Sequence, residues 1–203
     1  MHSLSRPPWW VLAALFMSAC TASYAHPHVF IDNKMELRFD AGMLKGIAFT
    51  WNFDKMFSSM MLTDFNAQPD GTFTPKTASA LKAGGFDNLS NYHYFLAFQV
   101  GSRALTKIKI EQFTPRVVEG NILVYSFFVP LDIPVTESQQ TIRTTVYDDS
   151  YYVAFDLMHV DDVTITGGDG VSCALSVEKT TVKPSWPGQY MPDQLVIRMK
   201  KAP

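Results

Sequence analysis

From residue 28 onward the polar and apolar positions alternate. Val29, Ile31, Met35, Leu37 and Phe39 fall on one face of an extended chain, and His28, Asp32, Lys34, Glu36, Arg38 and Asp40 fall on the other. A period of two marks a half-buried strand. Asp40-Ala41-Gly42 turns the chain, and Ile47, Phe49, Trp51 and Phe53 resume the alternation. The two segments predict an opening hairpin. The period then lengthens: Asp54 is placed to cap a helix whose apolar side carries Phe57, Met60, Met61 and Phe65. Thr74-Pro75 supplies a hydroxyl cap and a proline at the first helical position of another, with Gly84-Gly85 as its stop. A short helical segment through Phe86–Tyr92 completes an insertion over about 54–92.

Beyond Tyr92 the pattern returns to strands, expected near 93–100, 104–113, 117–129, 141–147, 151–157, 162–166 and 172–180. Gly101-Ser102, Gly120-Asn121, Asp148-Asp149-Ser150 and Gly167–Gly170 punctuate them. Pro130 and Pro134 belong to a connection or an edge, because proline cannot donate to a ladder. The tail around Pro184-Ser185-Trp186-Pro187 reads as irregular. The expected fold is mainly β (α+β): an antiparallel β-sandwich with one helical insertion.

The first residues belong to a different pattern. Arg6 precedes an apolar run, Trp9 to Ala19, and small residues end it at Ser23-Tyr24-Ala25. That order describes a secretory signal cut after Ala25. The run is about half the ~20 residues a bilayer requires, so it makes a poor anchor. The competing cut lies before Cys20, after Met17-Ser18-Ala19, and would leave a lipidated cysteine. With the first cut, residues 1–25 are a signal peptide and residues 26–203 form a single periplasmic domain, large enough for a hydrophobic core. The full chain carries a formal charge of −2, and losing Arg6 makes the mature chain one unit more negative. No basic cluster is present, which argues against nucleic acid as a partner. Of the two cysteines only Cys173 remains, so no disulfide within the mature chain can hold the fold.

Export brings His26-Pro27-His28 to the new N-terminus. On an extended chain residues i and i+2 point the same way, with Cα atoms ~6.6 Å apart, and two such imidazoles can share one ion at ~2.0–2.1 Å from each nitrogen. Asp32 is on the same face but ~13 Å from His28 along a regular strand. A free amine on His26 could chelate together with its own imidazole, as in a copper histidine brace. The alternative N-terminal copper site needs a deprotonated amide at position two, which Pro27 lacks. A bis-imidazole site would need completion, and His93, His159 and the acidic side chains near Asp148, Asp149, Asp161 and Asp162 are candidates. Each has a plainer reading. His93 sits in the aromatic run Tyr92–Phe95 and reads as a packed histidine, His159 reads as a surface residue, and Asp148-Asp149 reads as a turn.

Other motifs are weaker. Asn66 to Phe73 has the outline of a calcium loop, but Asn66 and Thr77 stand where that loop needs Asp and a bidentate Glu. Calcium is therefore not expected. Met56, Met60 and Met61 could offer thioethers to copper(I), yet beside Phe57 and Phe65 they read as core. Cys173 reads as a small buried hydrophobe. No nucleophile-base arrangement or phosphate-cradling loop stands out.

The run His26-Pro27-His28-Val29-Phe30-Ile31-Asp32 after an export signal resembles the opening of a bacterial periplasmic family. Its members carry the label periplasmic component of an ABC-type transport system (domain of unknown function one thousand and seven). Phe39-Asp40-Ala41-Gly42, Trp51-Asn52-Phe53-Asp54, Phe86-Asp87-Asn88-Leu89 with Tyr94-Phe95, and Tyr147-Asp148 with Tyr151-Tyr152-Val153 extend the similarity over most of the mature chain. The resemblance implies a metal-linked role beside an inner-membrane permease of the nickel/cobalt type, with zinc uptake attributed to that pairing. His26 and His28 match the family motif; His93 and His159 are added on chemistry alone. The expected function is a periplasmic, non-enzymatic accessory protein that binds zinc, or alternatively nickel, cobalt or copper, and serves a metal permease. A metal-free adaptor and a copper histidine-brace enzyme are the competing expectations.

Overall fold

The computed structural model describes residues 28–68, 72–156, 158–180 and 191–203. The leader with Cys20, His26 and the tail around Pro184–Pro187 lie outside these residues. The opening alternation becomes a hairpin: β1 (Val29–Asp40) pairs antiparallel with β2 (Met43–Phe53), from Ile31 opposite Phe53 to Asp40 opposite Met43. Ile31, Leu37, Ile47, Phe49 and Trp51 are the inward-facing set, and all are buried.

The insertion follows, as α1 (Lys55–Asp64), α2 (Pro75–Leu81), a π-type turn at Lys82–Phe86 and 3-10 turns over Asp87–Phe95. The remaining described strands are β3 (Leu96–Val100), β4 (Arg103–Ala104), β5 (Glu111–Val118), β6 (Ile122–Pro134), β7 (Gln140–Val146), β8 (Val153–Phe155), β9 (Val163–Thr166), β10 (Val171–Lys179) and β11 (Asp193–Lys201). One sheet runs β5-β6-β2-β1-β8, with β9 also on β1; the other runs β10-β11-β7-β3-β4. Phe49 of the first meets Phe98 of the second edge-on at 6.3 Å between ring centres. The architecture is a β-sandwich with a helical insertion. Among the described residues no helix is long and apolar enough to cross a membrane.

Several expectations need correction. The first sheet is mixed rather than antiparallel throughout, because β8 and β9 both lie parallel to β1. Alternation fixes which face a strand buries but carries no information on its direction. The strand expected at 104–113 shrinks to Arg103–Ala104, and the segment expected at 117–129 is divided by a turn at Gly120–Asn121 into the β5–β6 hairpin, with Val118 opposite Ile122. Strand β11 lies just beyond the tail read as irregular. Its run Leu195-Val196-Ile197 is fully buried between β10 and β7, so it has no polar alternation to announce it. Pro130 and Pro134 sit where β6 has outrun β5 and pairs with β2 alone. Gly84 and Gly85 lie inside the π-type turn instead of ending the helical stretch. Met61 is buried, but Met56 and Met60 are 69% and 50% exposed, so α1 turns only part of its methionine face inward.

Two side chains fix the insertion to the sheet. Asp54 caps α1 by accepting from the Phe57 amide at 2.9 Å, and its other oxygen accepts from the Phe30 amide at 2.8 Å. The buried Ser58 hydroxyl accepts from the Leu123 amide at 3.0 Å, tying α1 to β6. Replacing Asp54 by Ala removes a helix cap and an acceptor for β1 together. We expect Asp54→Ala to lower unfolding free energy by about 2 kcal/mol, with Asp54→Asn recovering most of it, as measured by urea denaturation.

Candidate functional site

His28 occupies the residue before β1, where the first sheet receives its parallel edge strand. The geometry begins at Asp148, which is only 8% exposed. Its carboxylate accepts from the Ser150 amide (2.9 Å), the Ser150 hydroxyl (2.8 Å), the Tyr152 amide (3.1 Å) and the Val153 amide (2.9 Å). This is the aspartate-anchored turn expected of Asp148-Asp149, extended over two further amides. Tyr151 takes φ of 59° to make the return, a conformation uncommon outside glycine. The turn aims the Tyr152 carbonyl at the start of β1, where it accepts from the His28 amide at 2.9 Å and the Val29 amide at 3.3 Å.

The His28 ring then rests on the Tyr152 ring, with centres 5.0 Å apart and planes tilted by 34°. Its backbone is therefore held by the turn and its imidazole lies against an aromatic face. The residue is exposed, and neither ring nitrogen bonds to a described residue. A neutral imidazole in that setting has one lone pair free for an ion.

The other candidates lie elsewhere. His93 is exposed and stands at a kink with φ of 51° and ψ of 30°, followed by Tyr94 in the same left-handed region. The packed position suggested by its aromatic neighbours is not adopted: the kink turns Tyr94 and Phe95 toward the core and His93 outward. His159 is exposed and precedes a single 3-10 turn at Val160–Asp162, as a surface residue should. Among the described residues no three His, Cys, Asp or Glu side chains converge where one metal ion could sit. His28, His93 and His159 thus do not form one ligand set; His26 lies outside the described residues.

The weaker motifs resolve simply. In the calcium-like segment the Gln68 amide donates to the Thr72 carbonyl, and Thr77 donates to the Thr74 carbonyl inside the first turn of α2. Thr77 therefore serves the helix start, while Asp70 lies outside the described residues. Cys173 is a free, partly buried thiol. Burial pushes its pKa up, which leaves it protonated and a poor nucleophile at neutral pH.

A family model described as a protein of unknown function (DUF1007) matches residues 11–194. The chain belongs to this family. A Haemophilus influenzae protein described as uncharacterised is 30% identical over 150 residues, covering 71% of this chain and 68% of that protein. A Spirochaeta aurantia protein, described as an uncharacterised 15.5 kDa protein in the trpE 3' region, is 25% identical over 132 residues, covering 65% of this chain and 93% of its own length.

What sequence reasoning missed is the pairing of His28 with Tyr152. The two are far apart in the chain and meet only because β8 lies parallel to β1. Asp148 is the residue that makes the meeting possible. We expect Asp148→Ala to cost about 2–3 kcal/mol in stability, since it strips the acceptor from several donors at once. It should also broaden the His28 ring signals in NMR spectra.

Proposed function

We propose that this protein is an exported, periplasmic accessory protein that binds a divalent transition metal through His26 and His28 and works beside an inner-membrane metal permease. The observation that carries this reading is the posture of His28. It is exposed, held by backbone and ring contacts to Tyr152, and its nitrogens are used by no described residue. A ligand fixed before the ion arrives has less conformational entropy to lose on binding. Pro27 has a fixed φ and offers no amide hydrogen at position two, where the alternative N-terminal copper site would need one.

Zinc is the first candidate and nickel, cobalt or copper the alternatives, because imidazole serves all of them. Two imidazoles leave a tetrahedral ion unsaturated. Water, the freed amine of His26, or an exposed histidine of another chain would complete the set. An incomplete set suits a protein that passes its ion on. The permease partner rests on the family resemblance of the His-Pro-His opening, and no catalytic role is needed.

Titration calorimetry of the purified mature chain with zinc and with nickel tests the reading. The His26→Ala/His28→Ala double variant should bind at least about a hundredfold more weakly, beyond the 10–100-fold typical of losing an outer-shell partner. Its circular dichroism and unfolding midpoint should match the parent. Equal affinity in the double variant would remove the proposal. A parent chain that binds no metal at micromolar levels but co-purifies with a membrane partner would favour the metal-free adaptor. A copper-loaded parent with the spectrum of amine-plus-imidazole ligation would favour the histidine brace.

A separate expectation concerns pH. Protons compete with metal for imidazole, so affinity should fall as the pH is lowered. Zinc titrations between pH 5.5 and pH 8 would reveal it, and a flat profile would point to carboxylate ligands instead.

A further inference from the structure

Between the first sheet and the helical insertion lies a cavity of about 500 Å³, within the 300–1,000 Å³ common for small-molecule sites. Val29, Ile31, Trp51, Phe53 and Phe95 form part of its wall, and Leu89 closes one side. Tyr92 and Tyr152, 60% and 55% exposed, reach solvent. The lining is overwhelmingly apolar, and no lysine, arginine or histidine belongs to it among the described residues.

One buried polar atom at this site lacks a partner. Tyr125 lines the cavity and is only 2% exposed, and its hydroxyl has no hydrogen-bond partner among the described residues. A buried hydroxyl without a partner costs on the order of 1–3 kcal/mol, so its retention at this place asks for a reason. The ring cannot easily swing away. Phe53 packs edge-on at 4.7 Å, Phe113 at 5.1 Å and Phe86 at 5.8 Å between centres. Gly85 lies beside the hydroxyl, also on the cavity lining, and a Cβ there would come within 3.3 Å of the oxygen. A glycine there keeps a side chain from crowding the hydroxyl. Burial raises the phenol pKa, so the group stays protonated and able to donate.

The geometry points to a binding site for a neutral, mainly apolar small molecule that carries one carbonyl-type oxygen, which accepts a hydrogen bond from Tyr125. Anions are disfavoured because the one acidic or basic side chain lining it among the described residues is Asp148. Cations gain little from Asp148, whose oxygens are already occupied by Ser150, Tyr152 and Val153. Flat rings suit the walls, where Trp51, Phe53 and Phe95 offer aromatic surface. The site does not depend on the metal reading, since His28 is not among the described residues that line it.

The probe for the test is 6-propionyl-2-dimethylaminonaphthalene, a neutral fluorophore with a single carbonyl whose emission reports both polarity and hydrogen bonding. The mature chain should bind one molecule saturably, with emission shifted to shorter wavelength. Tyr125→Phe keeps the cavity and loses only the donor. It should weaken binding about 5- to 10-fold, the size of one hydrogen bond, and move the emission further toward the blue. The analogue 2-dimethylaminonaphthalene, which lacks the carbonyl, should bind parent and Tyr125→Phe alike. Leu89→Trp should block the cavity and abolish binding while preserving the unfolding transition. His26→Ala/His28→Ala should bind the probe as the parent does, which separates this site from the metal site. The proposal is overturned if the folded parent shows no saturable binding, if Tyr125→Phe binds the carbonyl probe as tightly as the parent, or if folded Leu89→Trp binds it unchanged.

Discussion

The hydrogen bond from the Trp51 indole to the Asn33 side chain, at 3.0 Å, is the contact on which the rest of the architecture is built. Both residues project from the inner face of the opening hairpin, where a polar group without a partner would be expensive. Each satisfies the other. The bond also fixes the plane of the largest fully buried side chain among the described residues. Phe127 and Phe155 pack against that indole edge-on at 4.8 Å and 5.4 Å, and Phe95 lies tilted to it at 6.4 Å. Those rings come from β6, from β8 and from the end of the insertion. One oriented ring thus gives three separated segments a common surface to pack on.

Much of this was legible in the chain. The hairpin, the two helix caps and the long insertion each leave a local signal: alternation at Val29–Phe39, an aspartate at position 54, a Thr-Pro pair at 74 and 75. Such signals arise because side chains a few residues apart share a face or a hydrogen bond. What stayed hidden is non-local. The parallel placement of β8 and β9 on β1 depends on which edge is free once the other strands have paired. Strand β11 is covered on both sides, so nothing polar interrupts Leu195-Val196-Ile197 to mark its faces.

The candidate sites divide along the same line. The His-Pro-His motif is contiguous, and its place at the head of the chain can be read directly. Its support cannot, because Tyr152 reaches His28 only through the turn organised by Asp148. The cavity is further from view. Tyr92, Tyr125 and Tyr152 come from the insertion, from β6 and from the turn before β8, and each looks unremarkable among its sequence neighbours. Met56 and Met60 show the reverse case: their helical spacing suggested burial, but α1 covers the sheet with too narrow a stripe to take them in.

The parallel pairing of Val29 with Val153 also bears on the order in which the molecule can be completed. A hairpin closes as soon as its second strand exists, whereas this edge waits for most of the chain. Contacts so distant in sequence are slow to form, since a long loop must be closed before they return any energy. The head of β1 is therefore among the last parts to be sealed, and during folding its backbone amides at 28 and 29 stay open to water. A chain stopped short of the Asp148 turn would keep its hairpin but leave its beginning loose, much as a seam sewn from the middle leaves the first stitch for last.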